Sequence, residues 1–173
     1  MKPLTMNGPK QLNPDMKWSG TWSLLMTSEI AEVGLTEWAG RVAQELESSR
    51  LHSKKPFCLW LLGEVGAGKT TFCKPLFTEL GVDRNIAVTS PTYTYLAEYK
   101  TQSGIWLAHL DLYRSDFELD IEDIVAEDLR SYGGYILEWP ERMAESSKRF
   151  PTHLLEIETT DLGRRYSFWS YRS

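Results

Sequence analysis

The octapeptide GEVGAGKT, residues 63–70, constrains the fold of this chain more than any other stretch. It satisfies the pattern G-x-x-x-x-G-K-[ST], follows the apolar run PFCLWLLG and leads into the helix-like segment GKTTFCKPLFTELG. An apolar run of this kind is typical of a strand buried on both faces of a parallel sheet. A glycine-rich turn between such a strand and a helix predicts a phosphate-binding loop, and hence an α/β domain of the P-loop NTPase class.

The residues of this loop predict contacts to ATP or ADP and Mg²⁺. Glycines let the backbone N–H groups turn toward phosphates, and the helix adds the positive end of its dipole. Lys69 is expected to reach the β and γ phosphates and to act in catalysis, Thr70 to bind Mg²⁺, and Thr71 to donate to the α phosphate. The expected nucleotide-binding residues of the loop are Gly63, Glu64, Val65, Gly66, Ala67, Gly68, Lys69, Thr70 and Thr71.

Two acids follow apolar runs that read as parallel strands. Asp111 closes IWLAHLD and Glu138 closes YILE. Because the carboxyl ends of parallel strands meet at one edge of a sheet, both carboxylates are expected beside the phosphate loop, where they would support Mg²⁺. Either acid alone also fits a helix cap or a surface charge.

The segment SPTYTYLAEY, residues 90–99, contains six hydroxyl-bearing side chains in ten positions. It begins right after NIAVT, within the stretch NIAVTSP that reads as a short strand, so it is expected to emerge at the same edge as Asp111 and the phosphate loop. We interpret SPT as part of the site, with Thr92 as a catalytic residue near the γ phosphate. The alternation in YTYLAEY predicts an edge strand.

The remaining chain reads as one domain. TWSLLMTS predicts a strand, and GLTEWAGRVAQELESS and SDFELDIEDIVAEDLRSYGG predict helices; the terminal segment around DLG predicts an antiparallel hairpin. This pattern favours a mostly parallel, mixed sheet with flanking helices over residues 21–173. Residues 1–20 contain three prolines and no hydrophobic periodicity, which indicates a flexible extension, although Met6 and Met16 also allow a later start of translation.

Composition excludes several classes of protein. The net charge of −5 argues against direct capture of nucleic acid through a broad basic face. Two cysteines, Cys58 and Cys73, have no metal-ligand spacing and are expected to be buried thiols of a reducing compartment. The apolar stretches are too short to span a membrane, so a cytoplasmic protein without membrane contact is expected.

Four motifs together resemble one family. GEVGAGKTTF, SPTYTYLAEY, HLDLYR and LEWPER, in this order across about residues 27–166, closely resemble the TsaE (YjeE) family of bacterial P-loop ATPases. The resemblance implies a small α/β P-loop domain that acts with TsaD and TsaB to form N6-threonylcarbamoyladenosine at position 37 of tRNAs that read codons beginning with A. It also implies that ATPase activity is weak alone and depends on partners, and that tRNA is met only through the complex.

The resemblance carries residue roles with it. Lys69, Thr70 and Thr71 match the family's phosphate and magnesium residues, and Asp111 and Glu138 match its two metal-associated acids. Trp139 matches the tryptophan beside the second acid, and Arg164 resembles an arginine near the nucleotide; both are expected nucleotide-binding residues. The chain departs from the family at Glu64, where Asp is usual, and at Pro75, which removes a hydrogen bond to Thr71 and is expected to kink the helix.

Two other functions fit the phosphate loop. A small-molecule P-loop kinase shares GEVGAGKT but needs an arginine-bearing lid, whereas the segment after Asp111 is acidic. A nucleotide-binding module without turnover fits the lack of an evident catalytic glutamine or arginine finger. ATP turnover with and without partner proteins separates these alternatives.

Overall fold

A computed structural model describes residues 8–10, 21–30, 32–115, 132–143 and 151–172. The elements are β1 (Thr21–Ile30), α1 (Leu35–Ser53), β2 (Phe57–Leu62), α2 (Lys69–Glu79), β3 (Leu96–Lys100), β4 (Trp106–Asp111), β5 (Tyr132–Glu138), β6 (His153–Thr160) and β7 (Gly163–Arg172). Strands and helices alternate as expected up to β3, five strands follow one another from β3 to β7 in the described residues, and short 3-10 helices occur at Glu32–Gly34 and Pro140–Arg142. No helix in the described ranges is long and apolar enough to cross a membrane.

The seven strands form one mixed sheet in the order β1-β7-β6-β2-β5-β4-β3. Its four central strands, β6, β2, β5 and β4, run parallel, whereas β3 at one edge and β7 and β1 at the other are antiparallel to their neighbours. β6 and β7 form the expected C-terminal hairpin. The prediction of a single mixed α/β sheet with a parallel centre is therefore confirmed.

Apolar residues cover both faces of the sheet. All six residues of β2 are buried, as the uninterrupted run predicts, because neighbouring side chains of a strand point to opposite faces. One face packs against α1 and α2, where Trp38, Phe72 and Phe77 are almost fully buried. The other face holds a separate cluster that includes Cys58 and Trp60. This burial fixes the positions from which β2, β4 and β5 deliver the side chains at their carboxyl ends.

The strand predicted for NIAVTSP is not present. Asn85 donates to Asp83 Oδ1 from both its backbone N–H and its side-chain amide, at 2.8 Å each, and this local turn directs the chain away from extended pairing. The sheet edge next to β4 is taken by β3 instead. Ile86 is accordingly 46% exposed.

The edge strand predicted for YTYLAEY begins later than expected. The N–H groups of Thr94 and Tyr95 both bond to Pro91 O, and Tyr95 has φ 63°, which a strand does not accommodate. Tyr93 to Tyr95 therefore lie in a turn, and only the segment from Leu96 onward pairs with β4.

Pro75 lies inside α2, which continues as helix from Lys69 to Glu79. Proline lacks the N–H that would bond to Thr71 O, but the helix does not end there. The helix predicted for residues 116–131 and nearly all of the N-terminal extension predicted for residues 1–20 lie outside the described residues.

Candidate functional site

The carboxyl ends of β2, β5 and β4 surround a cavity of about 330 Å³. Most of the predicted site residues line this cavity, together with Ser90 and Tyr113. Gly63, Glu64 and Ala67 belong to the same loop but do not line it. The lining residues are Val65, Gly66, Gly68, Lys69, Thr70, Thr71, Ser90, Thr92, Asp111, Tyr113, Glu138 and Trp139.

Glycines allow the loop to pack tightly and to present the start of α2. Gly68, the N-cap of α2, has φ 102°, a conformation that residues with a Cβ adopt only under strain, and no side chain caps the helix there. A Cβ on Gly63 would lie 2.9 Å from Ile157 O, a backbone atom that cannot move aside easily. The first N–H groups of α2 have no acceptor within the helix, so they are available to an anion in the cavity.

The Lys69 ammonium already has partners inside the loop. Its Nζ donates to Gly63 O and, at 3.1 Å, to Glu64 O, and it lies 3.8 Å from the ring centroid of Trp139. Burial lowers the pKa of Lys69, an effect opposed by the negative charges of Glu138, Glu141 and Asp111. Lys69 must exchange these carbonyl partners to meet an anion in the cavity.

Glu138 is held by side chains from two other elements. The Thr70 hydroxyl donates to the Glu138 carboxylate and lies 3.0 Å from Oε1 and 3.2 Å from Oε2. His109 Nε2 lies 3.0 Å from the same Oε1. Cys73 Sγ lies 3.9 Å from the same oxygen and 3.6 Å from His109 Nε2. Burial, followed by the nearby carboxylates, raises the pKa of Cys73 well above its ordinary value, so this side chain is a thiol.

Asp111 organises the hydroxyl-rich loop. Its Oδ2 accepts hydrogen bonds from the Ser90 and Thr92 hydroxyls, the second at 2.6 Å, and its Oδ1 accepts the Tyr113 N–H at 3.0 Å. In the parallel register of β4 and β5, Asp111 lies directly opposite Glu138. Both acids are 3% exposed, and they have separate sets of partners.

Two aromatic residues form one wall of the cavity. Trp139, which follows Glu138, has φ 63° and ψ 50°, an uncommon conformation for a bulky residue. Its ring packs against Tyr113 with 4.9 Å between centroids, and its face is the one that Lys69 approaches. The left-handed backbone therefore turns the indole toward the phosphate loop.

Arg164, at the start of β7, reaches the phosphate loop from the opposite side. Its Nη2 lies 3.5 Å from Gly66 O, and a Cβ on Gly68 would lie 3.1 Å from its Nε. That Nε is buried without a hydrogen-bond partner among the described residues. A buried, unpaired guanidinium N–H beside a phosphate-type loop fits a site whose acceptor is an anion.

Sequence reasoning missed two residues next to the site. His109 was not singled out, although it precedes Asp111 by two positions and therefore lies on the same face of β4. Cys73 was correctly expected to be a buried thiol, but its contacts with His109 and Glu138 were not. Its position three residues after Thr70, on the same face of α2, is the signal that would have found it.

This arrangement can hold a polyanion together with a divalent cation. It combines an uncapped helix N-terminus, the cations Lys69 and Arg164, and a hydroxyl adjacent to a carboxylate at Thr70 and Glu138. Oxygen ligands of this kind suit Mg²⁺, and the helix terminus suits phosphate.

Comparison with known proteins agrees with this geometry. The model of the family described as Threonylcarbamoyl adenosine biosynthesis protein TsaE matches residues 31–166. Two curated proteins named tRNA threonylcarbamoyladenosine biosynthesis protein TsaE are 36% identical to this chain. The one from Aquifex aeolicus aligns over 127 residues, covering 73% of this chain and 81% of the relative. The one from Bacillus subtilis aligns over 118 residues, covering 62% of this chain and 72% of the relative.

A solved structure shares the fold. The crystal structure of YdiB from Bacillus subtilis superposes with a TM-score of 0.56 over 89% of this chain and 88% of that one, at 22% identity. The matched family region contains the phosphate loop, both acids and the hydroxyl-rich segment, whose side chains meet at one cavity. The chain therefore belongs to the TsaE family.

Proposed function

We propose that this protein is an ATPase that binds ATP and ADP with Mg²⁺. We further propose that it acts with TsaD- and TsaB-like proteins in forming N6-threonylcarbamoyladenosine at position 37 of tRNAs that read codons beginning with A. The observation that carries the proposal is the Thr70 hydroxyl bonded to Glu138 at the uncapped N-terminus of α2. The names of the family's relatives support the pathway.

The residues divide into phosphate and metal groups. The α2 N-terminus, Lys69 and Thr71 would hold the phosphates, and Thr70 and Glu138 would hold Mg²⁺, with Asp111 on the neighbouring strand. Bound Mg²⁺ supplies neutralisation of charge on the β and γ phosphates. Glu138 is oriented for this role by the His109 contact, so its carboxylate needs little rearrangement.

Thr92 and Ser90 are suited to orienting a water molecule. Each hydroxyl can donate its hydrogen to Asp111 Oδ2 or to the other hydroxyl, and the two hydroxyl oxygens lie 2.7 Å apart. Thr92 lines the cavity together with Lys69 and Glu138, and a hydroxyl oxygen that donates its hydrogen keeps lone pairs, so Thr92 can accept a hydrogen bond from a water. Asp111 can then accept a proton through this short chain of hydroxyls.

Turnover by the protein alone should be slow. Lys69 is the one cationic side chain that lines the cavity among the described residues, because Arg164 lies against Gly66 and Gly68 of the loop and does not line the cavity. Charge that develops on a transferred phosphoryl group would therefore lack the second cation that fast P-loop NTPases use. A partner can supply or organise that cation, and the acidic net charge of −5 suits a protein partner better than tRNA.

Nucleotide binding is tested by calorimetry on Lys69→Met with Lys74→Met as the control. Both lysines are on α2, but Lys69 is buried in the loop, whereas Lys74 is exposed. Loss of a charge-assisted contact predicts at least about tenfold weaker ATP binding in Lys69→Met, corresponding to roughly 1.4 kcal/mol. Equal ATP affinities in the two variants would contradict the assigned site.

The pathway is tested by measuring ATP hydrolysis with and without the purified cognate TsaD- and TsaB-like pair. Turnover should rise when the pair is added, and modified adenosine in tRNA should fall in cells depleted of this protein. Transfer of phosphate to a small molecule would favour the kinase alternative. ATP binding without hydrolysis, even with the pair present, would favour the nucleotide-binding module.

A further inference from the structure

Three side chains of different chemistry meet beneath the phosphate loop: Cys73 from α2, His109 from β4 and Glu138 from β5. Their ligating atoms all lie within 4.8 Å of one another. We infer that they form a binding site for a thiophilic divalent cation, with Zn²⁺ as its representative. This site is distinct in chemistry from the proposed Mg²⁺ site, with which it shares Glu138.

The distances fit tetrahedral coordination. Sγ and Nε2 are 3.6 Å apart, Nε2 and Oε1 are 3.0 Å apart, and Sγ and Oε1 are 3.9 Å apart. Zinc bonds of about 2.3 Å to sulfur and about 2.0–2.2 Å to nitrogen or oxygen require separations of roughly 3.4–3.6 Å between ligand atoms. Adjustments of a few tenths of an ångström would therefore bring all three atoms into a zinc coordination shell.

The ligand set selects against the cation expected in the cavity. A thiolate and an imidazole are the ligands preferred by Zn²⁺ and Co²⁺, whereas Mg²⁺ binds oxygen almost exclusively. Cys73 is a thiol in the metal-free protein, so binding of the ion releases the Cys73 proton to solvent as the sulfur–metal bond forms. Cys73 and His109 are 0% exposed, and Glu138 both belongs to the cluster and lines the cavity. Glu138 therefore provides the route by which an ion leaves the cavity for the cluster.

The affinity should be lower than that of a fully supported zinc site. His109 Nδ1 is buried and has no hydrogen-bond partner in the described ranges. Histidine ligands of zinc ordinarily donate this second nitrogen to a carboxylate or carbonyl, and loss of such a partner weakens metal binding about 10–100-fold. The cluster is thus suited to reversible occupancy and not to permanent structural zinc.

Sharing of Glu138 couples the two sites. When Glu138 Oε1 coordinates Zn²⁺ beside Cys73 and His109, that oxygen is no longer available to Thr70 or to Mg²⁺, and the charge of the bound ion repels a second cation at the same carboxylate. Zn²⁺ should therefore inhibit Mg²⁺-dependent ATP hydrolysis, and the inhibition should need Cys73. The predicted inhibition of ATP hydrolysis rests on the proposed function, whereas metal binding by the cluster does not.

The test is a titration of the metal-free protein with Co²⁺ and then Zn²⁺, with no nucleotide present. Wild type should show the near-ultraviolet charge-transfer band of thiolate bonded to cobalt, and one equivalent of Zn²⁺ should abolish it. Cys73→Val should lose the band and bind Zn²⁺ at least about tenfold more weakly. Loss of a group that only supports a metal ligand weakens metal binding about 10–100-fold, and loss of the ligand itself should weaken it by no less. Cys58→Val is the matched control, because Cys58 is also a buried free thiol but lies on the other face of the sheet.

Absence of the band in wild type, or equal Zn²⁺ affinity in wild type and Cys73→Val, would overturn the inference. If Cys73→Val fails to fold, a band that Cys58→Val retains still assigns the thiolate to Cys73, because the chain has only these two cysteines. A band that persists in a folded Cys73→Val but disappears in Cys58→Val would likewise overturn it, because the metal would then bind at the other thiol. Failure of ATP binding in calorimetry would overturn the proposed function but leave this titration interpretable.

Discussion

Replacing Asp111 by Asn and by Ala separates the charge of this residue from its role in holding the hydroxyl-rich loop. In Asp111→Asn the amide oxygen can still accept the Tyr113 N–H. The amide NH₂ can donate to the Ser90 and Thr92 hydroxyls, which then turn to act as acceptors. In Asp111→Ala all of these bonds are lost, so the two variants differ in packing and hydrogen bonding but share the loss of charge.

The expected losses of stability follow from the number of hydrogen bonds that each variant loses. Hydrogen bonds to a charged group are worth about 1.5–3 kcal/mol each, but Ser90 and Thr92 are half-buried, keep their mutual bond and can turn toward water. We therefore expect Asp111→Ala to lower the free energy of unfolding by about 2–4 kcal/mol, and Asp111→Asn by about 1 kcal/mol or less. Both should lose partner-stimulated ATP hydrolysis, because neither retains a carboxylate.

Urea unfolding at neutral pH and ATP turnover with the cognate pair measure the two effects. Equal destabilisation of the Asn and Ala variants would refute the hydrogen-bonding argument. Stimulated turnover at the wild-type rate in Asp111→Asn would refute the catalytic role of the carboxylate.

Two further predictions concern other residues. Burial lowers the pKa of His153 to about 4 from an ordinary 6.5, so the unfolded chain takes up a proton at this histidine before the folded protein does. The contribution of neutral His153 to the free energy of unfolding is therefore intact above about pH 6.5 and falls by about 3 kcal/mol as the pH drops toward 4. Urea unfolding across this range should show a flatter pH dependence for His153→Leu, and an unchanged slope would contradict it. Nucleotide binding should alter the fluorescence of Trp139, since its ring contacts Lys69; the full signal surviving in Trp139→Phe would assign it to another of the seven tryptophans.

The elements that build the phosphate site were predictable because their signals are local. A fully apolar run ending in glycine identifies β2, and the loop pattern identifies the start of α2 within the next residues. Asp111 and Glu138 each end an apolar run, so their location at the strand ends followed from hydrophobicity alone. Because the two strands are parallel, their carboxyl ends lie at the same edge of the sheet, so the two acids come together without any additional sequence signal.

The features that sequence reasoning missed depend on partners distant in the chain. NIAVTSP, residues 85–91, has a strand-like composition, but β4 pairs with β3 instead, and the turn in which Asn85 donates to Asp83 Oδ1 opens this segment. The left-handed backbone of Tyr95 is a non-glycine exception that residue preference does not predict. Cys73 meets a histidine 36 positions later and a glutamate 65 positions later, so no periodicity marks the cluster.

The register between β4 and β5 determines where the chain can change length. Side chains alternate along a strand, so deletion of one residue within Leu107–Leu110 would turn Asp111 to the opposite face of the sheet and destroy the acid pair, even if the sheet still formed. The register irregularity between Trp106 and Leu107 lies upstream of that stretch. Gly133 of β5 is the unpaired extra residue there, so the register changes before the pairing that aligns the acids. Insertions should therefore be tolerated in the exposed turn at residues 102–104 and rejected a few residues later.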